Sequence, residues 1–142
     1  MNDRYKDSIA SHFKEGGEFL ILKSPSDMGV RRNLGRNGAR FAPTAIEACF
    51  KKMTHHLEEK SFKSLEVSNH TQETIDYDAA MNQSSERISK ELSKAKNRVA
   101  HIGGGHDHAL PLLKALDSTD CENILIINFD AHCDTRIDDR SH

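Results

Sequence analysis

Three residues of metal-ligand type stand at alternate positions in Asn128-Phe129-Asp130-Ala131-His132-Cys133-Asp134. In an extended chain, residues two apart point to the same face, so Asp130, His132 and Asp134 can converge on one spot. Two carboxylates brought that close repel unless a cation lies between them. The chemistry this spacing suggests is therefore the binding of a divalent metal. A fourth candidate is His106, at the end of Gly103-Gly104-Gly105-His106-Asp107. The alternative for Asp130, His132 and Asp134 is a polar strand end that holds no metal.

Both groups follow apolar stretches that can position them. Ile124-Leu125-Ile126-Ile127 reads as a buried strand ending just before the first cluster. Arg98 to Ile102 reads as a second strand, running into glycines that permit a tight turn and close backbone approach. Ala109 to Leu116 then reads as a helix, with Pro111 in its tolerated first turn. Open α/β sheets place their sites beyond the carboxyl ends of the strands, and two such ends could build one site.

The rest of the chain supplies further elements of the same kind. Phe19-Leu20-Ile21-Leu22 is a short strand, followed by a long loop from Ser24 to Ala42 rich in Gly, Arg and Asn. Ala42-Pro43-Thr44 starts a helix with Pro43 at its first position, running to about Met53 with Ile46, Cys49, Phe50 and Met53 on one face. Thr54 to Thr74 is polar, with Leu65-Glu66-Val67 a possible strand. Asp76 to Lys96 is helical, with Met81, Ile88, Leu92 and Ala95 as a narrow stripe. Alternation of strands and helices predicts an α/β fold: a parallel sheet with helices packed on it. The polar tail from Thr135 to His142 offers no covering helix, so the chain reads as the first half of something larger.

Composition narrows the function classes. The chain has 142 residues, 36% of them hydrophobic and 30% charged, with a net charge of −2. That balance gives no electrostatic case for nucleic acid or an anionic membrane, and no apolar stretch is long enough to span a bilayer. The first residues lack the apolar core of a secretion signal. Three cysteines, Cys49, Cys121 and Cys133, are odd in number and far apart, which argues for a reducing compartment and a cytoplasmic protein. Cys133 alternates with the ligand residues and should face away from them. The Gly29 to Gly38 stretch lacks the ending of a phosphate loop. Arg31, Arg32, Arg36 and Arg40 offer carboxylate binding, with a solvated basic loop as the simpler reading. His101 and His108 flank His106 as partners for it or as ordinary hydrogen-bonded histidines. His55 and His56 read as a solvated pair.

Gly103-Gly104-Gly105-His106 and Asp130-Ala131-His132-Cys133-Asp134, in this order and each after an apolar strand, resemble the ureohydrolase family: arginase, agmatinase and formimidoylglutamase. The acidic residue after His106 and Asn128-Phe129 ahead of Asp130 resemble the formimidoylglutamase branch most. Ser26-Asp27-Met28-Gly29-Val30 and Asn33 to Ala39 resemble the loop before that family's Gly-Pro helix start, with Ala42 in place of the Gly.

The resemblance implies a three-layer α/β/α parallel sheet of the arginase-like type, with residues 1–142 as its N-terminal portion. The family's later Asp-x-Asp motif is not in this chain. The family binds two Mn2+ with six side chains, and four of them are matched here. Asp130 would bridge both ions and position the attacking hydroxide, His106 and Asp134 would hold one ion, and His132 the other. The implied reaction is hydrolysis of a linear amidine: formimidoylglutamate to glutamate and formamide, or arginine to ornithine and urea. With only four ligands, one ion or none and little turnover are expected of this chain alone. Arginase or agmatinase activity of a longer protein, and a noncatalytic chain holding one metal or none, are the alternatives. The implied partners are a small amidine or guanidine and, for a full-length protein, further copies of itself.

Overall fold

The computed structural model describes residues 8–54, 60–68, 76–94, 98–119 and 122–132. Three strands, β1 (Phe19–Ser24), β2 (Phe62–Glu66) and β3 (Val99–Gly103), form one sheet in the order β2-β1-β3. Both pairings are parallel, with Leu22 opposite Leu65 on one side and His101 on the other. All three strands therefore end at the same sheet edge.

Alternation along the strands sends side chains to two covered faces. Leu20 and Leu22 of β1 point to one face and join Val67 there, against Ile88 of α3 (Tyr77–Leu92) and Ala115 of α4 (Ala109–Asp117). Leu22, Ile88 and Ala115 are fully buried, so this is the densest part of the core. Phe19 and Ile21 point to the other face, where Ile46 and Phe50 of α2 (Ala42–Lys51) border an apolar groove of about 360 Å³. The result is helix, sheet, helix: the α/β layering expected from the alternation of elements.

Local signals account for the helix ends. Asp76 caps α3 by accepting from the Ala79 amide at 3.1 Å. Pro43 lies in the first turn of α2 and Pro111 in that of α4, where a missing N–H costs nothing. No helix among the described residues is long and apolar enough to cross a membrane.

Four expectations are corrected. Ile124 to Ile127 is not a strand. The segment is irregular, pairs with neither sheet edge among the described residues, and leaves Leu125 84% and Ile127 65% exposed. An apolar run states a preference for burial but does not supply the edge it must pair with. Secondly, the stretch from Ser24 to Ala42 contains a short helix, α1 (Met28–Arg32), and a 3-10 turn at Ala39–Phe41.

Thirdly, α2 turns Pro43 and Glu47 inward, while Ile46, Cys49 and Met53 are exposed. The cause is electrostatic: Glu47 is drawn in by Lys23 at 2.6 Å, by Lys51, and by the Ser64 hydroxyl at 2.9 Å. Fourthly, the possible strand at Leu65–Val67 is β2, which begins earlier, at Phe62, and ends at Glu66, leaving Val67 just outside it. The Met81, Ile88, Leu92 stripe of α3 does face inward; Ala95 lies outside the described residues, as do His55, His56, Cys121 and Cys133.

Candidate metal centre

The candidate ligands gather beyond the carboxyl ends of β1 and β3. There the Gly103 to Gly105 turn is laced to the segment after β1: the Gly104 amide donates to Ser24 O at 2.9 Å and the Gly105 amide to Ser26 O at 3.0 Å. A Cβ on Gly104 would run into the Ser26 carbonyl, so glycine is needed here for close approach. Its φ is not positive; among the described residues only Gly38 and Leu34 adopt positive φ. The turn leads into a 3-10 helix, His106–His108, which hands over directly to α4.

This arrangement carries His106 to the solvent side, with Nδ1 3.6 Å from Asp130 Oδ2. The other oxygen, Oδ1, lies 3.6 Å from His132 Nδ1 and accepts the His132 amide at 2.9 Å. Asn128 closes the small loop by donating from Nδ2 to His132 O at 3.2 Å. Asp130 is thus flanked by an imidazole at each oxygen. The His132 amide, then the two histidines, hold its carboxyl below the usual range, which favours the anion.

Of the four expected ligands, Asp130 lies 3.6 Å from His106 on one oxygen and from His132 on the other; Asp134 lies outside the described residues. Among the described residues no group of three or more His, Cys, Asp or Glu forms a metal-holding cluster. The three side chains form an open fan about Asp130, not a closed shell. In kind, one carboxylate and two imidazoles suit a hard or borderline divalent ion such as Mn2+.

The residues around the turn are more buried than the sequence suggests. His108 is buried, not on a helix surface, and meets the His101 ring edge-on at 6.4 Å. His101 Nε2 is 2.8 Å from the Ser24 hydroxyl, and burial, aided by His108, pushes its pKa down from 6.5 to about 4. Asp107 is buried beside Gly29 of α1 and accepts from the Tyr77 hydroxyl at 3.3 Å. Burial pushes its carboxyl up, against the opposing effect of Tyr77.

Asp27, also buried, accepts the Gly38 amide at 3.0 Å and pairs with Arg31 at 3.3 Å, tying down the loop after β1. Arg32 stacks on the Tyr77 ring at 4.5 Å and Arg40 on Phe41 at 4.9 Å. Three of the four loop arginines thus have partners within the protein. Asp107 and Tyr77 carry no sequence signal beyond an acidic residue directly after the candidate ligand His106.

Residues 18–142 match the profile described as the arginase family. The chain belongs to the arginase family. It is similar to formimidoylglutamase of Salmonella heidelberg (strain SL476), with 34% identity over 125 residues. It is also similar to formimidoylglutamase of Streptococcus pyogenes serotype M3 (strain ATCC BAA-595 / MGAS315), with 35% identity over 133 residues. These alignments cover 87% and 86% of this chain but 39% and 37% of the two relatives, so the chain spans about two fifths of their length. No solved structure matches the chain significantly. The parallel sheet with helices on both faces accords with part of an arginase-like fold.

Proposed function

We propose that residues 1–142 are the metal-holding N-terminal portion of a single arginase-family domain that hydrolyses linear amidines. The leading reaction is formimidoylglutamate plus water to glutamate and formamide. The observation that carries this reading is the approach of His106, from the β3 exit, to Asp130, from a segment more than twenty residues later. The names of the similar bacterial proteins support the substrate choice.

Asp130, His106 and His132 would hold Mn2+, with Asp134 joining them. A bound Mn2+ would supply Lewis acidity and lower the pKa of a water molecule. The chain's own part is to keep Asp130 ionised through the His132 amide and to present its two oxygens to different imidazoles. In a full-length subunit two Mn2+ would be expected, and Asp130, with an imidazole beside each oxygen, would help to hold them. Cytoplasmic residence is part of this reading, supported by the widely spaced cysteines. So is self-association of the full-length protein, which the exposed run from Leu125 to Phe129 favours. The net charge of −2 supports a small-molecule partner over nucleic acid or an anionic membrane.

A second reading is a noncatalytic chain that binds one metal or none. The lack of a three-residue metal-holding group among the described residues favours it. Titration with Mn2+, followed by the electron paramagnetic resonance of the free ion, tests both. Uptake that is lost in His106→Ala and Asp130→Ala is expected. Unchanged uptake in both variants, or none in the full-length parent, refutes the metal centre. A panel of formimidoylglutamate, arginine and agmatine on the full-length protein then assigns the substrate.

A further inference from the structure

We infer that Asp107 is a positioning residue, whose buried carboxylate pins the His106 turn to α1 and α3 and so aims His106 at Asp130. Its importance for metal rests on the proposed function; the pinning does not.

Asp107 follows His106 directly, in a 3-10 helix of three residues. So short a helix has little hydrogen bonding of its own to fix its orientation. Backbone bonds hold the glycines before it, and two of its own side chains are buried, His108 and Asp107; Asp107, with 7% of its surface exposed, is the one directly next to His106. Its Oδ2 accepts from Tyr77 Oη at 3.3 Å, which ties the turn to the first residue of α3. Tyr77 is itself buried and lies beneath the Arg32 guanidinium at 4.5 Å, which extends the tie to the end of α1.

The fit is close on two more sides. A Cβ placed on Gly29 or on Gly105 would collide with the Asp107 carboxylate. Both glycines therefore leave space that the carboxylate fills, one from α1 and one from the turn itself. A side chain held by α1, α3 and its own turn leaves the preceding residue little freedom. His106 is that residue, and the 3.6 Å approach of its Nδ1 to Asp130 depends on how the turn is set. An outer residue that orients a metal-binding histidine in this way typically changes metal affinity by about 10–100-fold when altered.

Two variants test the inference. Tyr77→Phe removes one hydroxyl, and Asp107→Asn keeps the shape while removing the charge. In the metal-free chain, amide hydrogen exchange at Asp107, His108, Val30 and Arg31 should accelerate together, by about tenfold or more, in both variants. Exchange at Leu22 and Ile88 should not change. With Mn2+ added, paramagnetic broadening should fade from the His106 ring and persist on the His132 ring, and affinity should fall about tenfold.

Should Asp107→Asn not fold, Tyr77→Phe gives the result alone. Unchanged exchange at the turn and at α1 overturns the inference. So does an affinity loss that affects His106 and His132 alike, which marks a purely structural effect. Accelerated exchange in a chain whose full-length parent takes up no Mn2+ upholds the pinning and removes the metal-centre reading instead.

Discussion

Acid should loosen this protein through His101. Its imidazole sits between the Ser24 hydroxyl and the edge of His108, and burial holds its pKa at about 4 against an ordinary 6.5. Between those values the unfolded chain carries a proton on this histidine and the folded one does not. Stability therefore rises with pH across the window. The contribution is complete above about pH 6.5 and is lost as the pH falls towards 4. At about 1.4 kcal/mol per pH unit, the gap caps the effect at about 3 kcal/mol. His101 retains some solvent contact, so about 2 kcal/mol is the working figure.

Urea denaturation at closely spaced pH values from 7.5 to 4 measures it, for the parent and for His101→Gln. Glutamine keeps a hydrogen-bonding partner for Ser24 but does not titrate. The parent should lose about 2 kcal/mol more than the variant over this range. Parallel curves for the two proteins would refute the reasoning, because every other titrating group is common to both.

Three further outcomes follow from the packing. Gly104→Ala places a methyl group against the Ser26 carbonyl and should cost about 2 kcal/mol in urea denaturation, with Mn2+ uptake weakened in the same variant. Glu47 is buried, which raises its pKa, but Lys23, Lys51 and Ser64 outweigh that and bring it to about 2. Glu47→Gln should lower stability at pH 7 by about 1–3 kcal/mol, and the loss should shrink as the pH falls from 4.5 towards 2 and the parent's carboxylate is neutralised. Leu34 is 94% exposed with φ at 57°, so Leu34→Gly should raise the thermal midpoint, by up to about 1 kcal/mol in stability.

What the sequence disclosed depended on whether the deciding force was local. β1 and β3 are dense apolar runs beside glycine or polar punctuation. α3 and α4 have a cap or a proline that marks the first turn. These signals lie within a few residues, and the elements appear where they predict. The inward face of α2 was misread because its decisive contacts, Lys23 and Ser64, lie on two different strands.

The run from Ile124 to Ile127 shows the same limit. Its composition suits a buried strand, yet strand formation needs a neighbour with free hydrogen-bonding groups. At the candidate site the ligand types were legible, and Asp130 lies 3.6 Å from each of His106 and His132, but residues 130–132 form a bend and not the extended strand end that the alternation implied. The buried positions of Asp107 and His108 were not legible. Nothing in their own neighbourhood reveals that Tyr77, some thirty residues earlier, lies against the same turn.

The strand order has a bearing on how the protein is made. β1 is synthesised first yet ends up in the middle, with partners about forty residues later on one flank and about eighty later on the other. A ribosome must release both before the central strand can be enclosed, so Leu20, Ile21 and Leu22 wait unprotected during translation. Pairings this distant in the chain also slow refolding, because long loops must close before any contact rewards them. Helpers that shield nascent chains would therefore act on the stretch around Leu20 to Leu22 before they act on any other part of the sheet.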